Sequence, residues 1–192
     1  LASNYTKGEY LVFLNNDTEV KPNWLIYLYK TFMIHPDAGA VGSMLVYDDG
    51  VLQEAGGIIF KDATGWNYGK GKSALDSHFS FVREVDYCSG AALMVKKNLF
   101  LQHGKFDERF APAYFEDTDL CFGIRKLGYK VYYCPFSIVV HHEGITAGTD
   151  LSKGFKRFQL LNTPKFIDKW KRELALQYQG DTNLVYSFSN RK

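Results

Sequence analysis

Carboxylates and imidazoles are the side chains best suited to moving protons and holding cations, and in this 192-residue chain they gather in three places. The run Tyr10-Leu-Val-Phe-Leu-Asn-Asn-Asp17 stops abruptly at two amides and an acid. Glu116-Asp-Thr-Asp-Leu120 puts three acids at a helix start. Val139-Val-His-His-Glu143 ends an apolar strand in two imidazoles. Each cluster lies at the edge of a secondary-structure element, where side chains from distant stretches can converge on one cleft. Whatever chemistry the chain performs is expected among these three.

The elements that must position them follow from pattern. A short apolar run rich in β-branched and aromatic residues reads as a strand buried on both faces, since a buried helix would be longer. Residues 10–14 are therefore predicted to form a central strand. Ligands of open α/β sheets sit beyond the carboxyl ends of the strands, so Asp17 is placed to face one. Pro22 suits the first position of a helix running to about residue 34, which ends before His35-Pro36. Residues 40–47 read as a strand, Asp48-Asp-Gly50 as a hairpin turn and 51–60 as its return, loosened by Gly56-Gly57. Residues 61–83 lose periodicity and are predicted to be a long functional or mobile loop.

Beyond it, the second half of 88–95 reads as a buried strand and 96–104 as a short helix closed by glycine. A helix over 117–127 carries acids in its first turn and Arg125 and Lys126 in its last, matching its dipole at both ends. Residues 129–134 and 137–142 read as two strands. Residues 151–177 read as two helical segments separated by Pro164, and 179–192 as a polar tail. The fold class is α/β, a mixed sheet with helices on its faces. Residues 1–8 look like the end of a helix with a Gly8 stop, which carries the expectation that further residues precede Leu1.

With 46% hydrophobic and 16% aromatic residues the chain can bury a sizeable core. A net charge of +2, with no basic stripe interleaved with aromatics, argues against nucleic acid as a partner. Cys88, Cys121 and Cys134 lack metal-type spacing and read as buried hydrophobes in a reducing compartment. No apolar run approaches the length of a membrane span.

Five motifs occur together in order: Asn15-Asn-Asp-Thr18, Gly90-Ala-Ala-Leu-Met94, Phe106-Asp-Glu-Arg-Phe110, Glu116-Asp-Thr-Asp-Leu120 followed by Arg125 and Gly128, and His141-His-Glu-Gly144. In order and approximate spacing they resemble the GT-A glycosyltransferases of family 2, over residues 1 to about 177. The resemblance implies a partial GT-A domain over 1–178 that lacks the N-terminal nucleoside-binding strands and leaves a sheet edge open to another copy. It implies metal-dependent, inverting transfer of a sugar from a nucleotide-sugar donor, a UDP- or dTDP-sugar, to a glycan or lipid-linked acceptor. The setting would be polysaccharide or other cell-surface glycan synthesis. The alternative is a catalytically silent carbohydrate-binding or assembly module on the same fold. The implied location is the cytoplasm, with peripheral contact at the inner face of the membrane through the basic C-terminal helices, whose plainer role is a solvated face.

Residue by residue, the resemblance makes Asp17 the last position of a metal-binding Asp-X-Asp motif, with Asn15 where the first Asp would stand. Mg²⁺ or Mn²⁺ would be held by Asp17 and His141, with His142 in reserve, and Asn15 and Asn16 would meet the donor. Asp117 would be the catalytic base, with Glu116 as the alternative, while Asp119 packs or caps. Gly90 would border the acceptor. Trp66 and Tyr68, on the long loop, are candidates for stacking on an acceptor sugar. Each has a plainer reading beside it: a strand-end cap for Asp17, dipole compensation for the acids, a core histidine, a tight bend at Gly90.

Overall fold

The structure, a computed structural model, describes residues 2–142 and 156–180. Its axis is β3 (Ala38–Val46), buried at every residue. Small residues make that burial possible. A Cβ at Gly42 would collide with the Cys88 side chain, and one at Gly39 with Ile124 and Tyr129, so the larger core approaches the strand closely. On one side β3 pairs antiparallel with β8 (Ala92–Lys96), and on the other it pairs parallel with β9 (Lys130–His141). β1 (Tyr10–Leu14) lies outside β8. β4 (Leu52–Glu54) adds to the far end of β3, while β7 (Arg83–Val85) and β2 (Thr18–Val20) pair with the two halves of β9.

Alternation sends the apolar side chains of these strands to both faces. Val41, Met94 and Tyr132 meet Leu28 and Phe32 of α1 (Trp24–Ile34). Ala40, Leu93, Val95 and Tyr133 join the larger core with Leu99 of α2 (Lys97–His103), Phe122 and Ile124 of α3 (Glu116–Lys126), and Phe166 and Trp170 of α4 (Arg157–Leu174). The mixed sheet flanked by helices is the predicted class.

Several expectations change. β1 is an edge strand, not a central one, bonded only to β8 among the described residues, with Val12 37% and Leu14 44% exposed. Its two faces are covered unequally: Phe13 packs on Phe100 and Phe106, whereas on the other face Tyr10 packs on Phe32 while Val12 and Leu14 stay partly open. Residues 18–20, between Asp17 and α1, form β2. Asn23 takes a left-handed φ of 66°, so α1 starts at Trp24 rather than at Pro22.

Residues 129–142 contain one long strand instead of two. Its register on β3 slips between Cys134 and Ile138, and the Ser137 hydroxyl there meets that of Ser43 at 2.8 Å. The 61–83 stretch is packed. β6 (Gly65–Asn67) pairs with β5 (Gly57–Ile59), and Tyr68 and Phe79 are buried. Pro164 lies inside α4. Helical geometry fails instead at Trp170, whose indole N–H is committed to Asp119.

The cysteines are free and buried. No helix among the described residues is long and apolar enough to cross a membrane. Glu143, Gly144, Lys153 and the tail over 181–192 lie outside the described residues.

Candidate active site

β2 brings the first cluster together. Its pairing with β9 sets Thr18 opposite His141, and the His142 N–H donates to the Asp17 carbonyl at 3.0 Å. The His141 Nε2 then lies 3.5 Å from Asp17 Oδ1, with both side chains largely buried. His142 goes elsewhere, its Nδ1 2.6 Å from the Asp48 carboxylate, as strand alternation requires. On the far side of the His141 ring, Nδ1 is 2.7 Å from Gln53 Oε1, while Gln53 Nε2 donates to the His141 carbonyl at 3.3 Å. With the amide so placed, Nδ1 donates to Oε1, and in the neutral ring the Nε2 lone pair then faces the Asp17 carboxylate. Two acceptors facing each other are suited to a cation or a proton between them.

The second cluster opens α3. Two successive non-glycine residues, Tyr114 and Phe115, hold φ near +70° (71° and 75°) and turn the chain sharply into the helix. Such conformations cost about 1–3 kcal/mol each and persist only where the surroundings impose them. Here the buried Asn162 of α4 imposes them, its amide nitrogen reaching the carbonyls of Phe110, Ala113 and Tyr114 at 2.9–3.1 Å. Asp117 emerges from that turn with both oxygens engaged. Oδ2 accepts from the Gly90 N–H at 2.9 Å, and Oδ1 accepts from the Thr118 N–H at 2.6 Å and the Thr118 hydroxyl at 3.2 Å. Glu116 is partly buried, and its Oε2 is buried with no hydrogen-bond partner among the described residues. Burial first, then the Asp117 charge, pushes its carboxyl up to about 8. Asp119 points away into the core, where His103 Nε2, Lys169 Nζ and the Trp170 N–H converge on it at 2.7–3.0 Å. That makes it the clasp between α2, α3 and α4.

One short loop joins the clusters. The Ser89 N–H donates to Glu54 Oε1, the Gly90 N–H to Asp117, and the Ala91 carbonyl accepts from the Asn15 N–H at 3.0 Å. A continuous path therefore runs from Asp117 through Gly90 and Ala91 to Asn15 and Asp17. From there it passes to His141 and Gln53, and returns through Glu54 to Ser89. These contacts link the three stretches singled out by residue type.

Residues 1–100 match the family model described as Glycosyl transferase family 2. The chain belongs to that family. It is 30% identical over 155 residues to the O-antigen biosynthesis protein RfbC of Myxococcus xanthus, covering 78% of this chain and 12% of that protein. It is 28% identical over 194 residues to the N-acetylglucosaminyl-diphospho-decaprenol L-rhamnosyltransferase of Mycobacterium tuberculosis, covering 92% of this chain and 62% of that protein. With the rhamnosyltransferase WbbL of Escherichia coli the identity is 27% over 178 residues, covering 87% and 64%. The chain thus spans less than two thirds of the length of these relatives. Its fold is similar to that of GalNAc-T7 in a crystal structure with UDP, GalNAc and Mn²⁺, with a TM-score of 0.63 and 17% identity over 98% of this chain and 39% of that one.

Within this family 2 domain, Asn15 and Asn16 sit exposed at the end of β1, next to Asp17. Gly90 touches Asp117 directly. Tyr68 must be withdrawn as an acceptor platform. It is 3% exposed, its ring packed on Phe79 and Trp66 and covered by the Arg83 guanidinium at 3.7 Å. Trp66 is partly buried against the core, its ring perpendicular to that of Tyr68. Sequence reasoning missed Gln53 and Glu54, each 2% exposed. The available signal was two adjacent polar residues inside an otherwise apolar return strand.

Among the described residues no group of three or more His, Cys, Asp or Glu side chains is placed to hold a metal ion. The Asp17–His141 pair still suits a divalent cation that takes its remaining ligands from a diphosphate, because such ions are held by one or two carboxylates plus phosphate oxygens, and imidazole favours Mn²⁺.

Proposed function

We propose that this chain is part of an enzyme that transfers a sugar from a nucleotide-sugar donor to the hydroxyl of a glycan or lipid-linked acceptor, with Mn²⁺ or Mg²⁺ and with inversion at the anomeric carbon. The observation that carries this reading is the run of hydrogen bonds and short chain segments that links Asp17 and its neighbour His141 to Asp117 through Asn15, Ala91 and Gly90. It supports a site that combines a cation-holding pair with a fixed carboxylate, as a single displacement requires. When bound, the cation supplies Lewis-acid stabilisation of the charge that develops on the departing diphosphate.

Asp17 and His141 hold and orient that end of the donor. Asp117 takes the proton of the acceptor hydroxyl as its oxygen attacks, its own orientation fixed by the Gly90 and Thr118 donors. We assign Glu116 a different role from the alternative base suggested by sequence: with its carboxyl pushed up to about 8, it is largely neutral at pH 7 and does not compete for the acceptor proton. The rhamnosyl activity named for two relatives makes a dTDP-linked deoxyhexose the first donor to test, and the diphospho-decaprenol acceptor of one of them supports a lipid-linked acceptor presented at the inner membrane face.

The deciding assay measures transfer from dTDP- and UDP-sugars with Mn²⁺ by the full-length protein and its Asp117→Asn variant. Loss of a general base lowers the rate by about 10²–10⁴-fold, and circular dichroism should report an unchanged fold. Equal rates in the two proteins would remove Asp117 from the chemistry, and no transfer from any donor would favour the silent-module reading.

A further inference from the structure

The residue before Glu54 has a feature that packing alone does not explain. β4 pairs with β3 through Val46 opposite Leu52 and Leu45 opposite Glu54, so Gln53 is the extra residue of a β-bulge. Bulges re-aim a side chain at the expense of a ladder bond, and they concentrate beside active sites. Gln53 is fully buried, where an amide is costly unless both its ends are hydrogen-bonded. Both ends go to the same residue: Oε1 to the His141 ring at Nδ1 and Nε2 to the His141 carbonyl. A contact at the ring and one at the main chain together fix where the imidazole lies and which nitrogen carries its proton.

We propose that Gln53 is a positioning residue: its clamp holds His141 as the Nδ1–H tautomer, with the Nε2 lone pair directed at Asp17 and at a divalent cation shared with it. The proposal rests on the reading of Asp17 and His141 as cation ligands. The chemistry is that of an outer-shell acceptor. A hydrogen bond from the distal ring nitrogen sets the tautomer and raises the basicity of the ligating one, and losing such a partner typically weakens metal binding by about 10–100-fold. The bulge supplies the reach. Glu54, the next residue, goes to the Ser89 N–H, so two consecutive side chains serve the cation half and the base half of the site.

The test reads the ring before any activity. Nitrogen-15 NMR of the neutral His141 imidazole in the wild-type protein should show Nδ1 protonated and Nε2 bare, and Mn²⁺ alone, titrated by electron paramagnetic resonance, should bind. Gln53→Met, of similar volume but with no acceptor, should shift the ring toward the Nε2–H form and weaken Mn²⁺ binding by about 10–100-fold. Gln53→Glu, which keeps an acceptor for Nδ1–H, should retain the wild-type tautomer. A wild-type ring protonated at Nε2 overturns the proposal, and this result needs no variant to fold. So does a folded Gln53→Met protein with the wild-type tautomer and Mn²⁺ affinity. If Asp17→Asn and His141→Ala leave Mn²⁺ affinity untouched, the cation reading fails separately, while the tautomer measurement still decides what Gln53 does.

Discussion

Replacing Glu116 by Gln separates a neutral acid from a working base. Burial and the neighbouring Asp117 charge raise the Glu116 carboxyl from 4.5 to about 8. The folded state then holds a proton that the unfolded chain gives up near pH 4.5. Between the two values the folded protein binds more protons than the unfolded one, so stability falls as pH rises through that window and levels off above about 8. Each tenfold change in proton affinity is about 1.4 kcal/mol, which makes the wild-type loss on the order of 5 kcal/mol. Gln mimics the protonated side chain in shape and charge and carries no such penalty. At pH 5 the two proteins should therefore unfold at nearly the same temperature. By pH 8.5 the variant should be the more stable by up to about 5 kcal/mol, or roughly 10–20 °C for a chain of this size. Scanning calorimetry from pH 5 to 9 gives the difference curve. A gap that does not change with pH, or a variant less stable at pH 8.5, would refute a neutral Glu116. Sugar transfer at pH 7 should stay within a few-fold of wild type, whereas a collapse like that expected for Asp117→Asn would make Glu116 the base.

Two further outcomes follow from the packing. Asp119→Leu leaves Lys169, His103 and the Trp170 N–H without their shared carboxylate, and breaking a buried pair from one side costs about 3–5 kcal/mol. Because Lys169 keeps Asp107, urea unfolding should show a loss near 3 kcal/mol, and a loss under about 1 kcal/mol would contradict the clasp. Gly90→Ala should leave stability unchanged or raise it by up to about 1 kcal/mol while raising the acceptor KM more than it lowers kcat, measured by steady-state transfer; a strongly destabilised protein would mean the glycine serves the fold instead.

Local signals were legible in the residues. His35-Pro36 stops α1, the turn at Asp48-Asp-Gly50 joins β3 to β4, and Gly128 closes α3 with a left-handed φ of 86°. Strand alternation said only that one of His141 and His142 could face the cleft, and the choice of His141 rested on its spacing from Asp117 in the family pattern; the structure sends the two rings to different carboxylates. Lateral order in the sheet was not legible. The residues of β1 register what covers its faces, while its position at an edge depends on which strand lies alongside. Tyr68 looked available because residues 61–83 lack periodicity, yet short strands, a cation–π contact and aromatic packing fold that stretch onto the core. Gln53 and Glu54 stood out as polar residues in an apolar strand, but what they do was not legible: their partners, His141 and Ser89, are far along the chain, and a bulge has no fixed sequence signature.

The glycines show how a fold requirement can be told from a site requirement. At Gly42 and Gly57 a Cβ would run into buried Cys88 and Tyr87 atoms, and at Gly69 φ is +75° with Leu52 and Phe79 crowding the position. Each of those is explained by packing or backbone geometry alone. Gly90 has neither excuse: its φ is outside the left-handed region, and an added Cβ would meet only Asp117, at the ordinary contact distance of 3.4 Å. Its amide already serves Asp117, and any residue but proline could supply that N–H. What only glycine provides here is bare backbone beside the proposed base, where a side chain would occupy the space that an attacking hydroxyl must enter. The missing atom therefore supports an acceptor approach past Gly90, and it does so independently of the residue pattern that first drew attention to this loop.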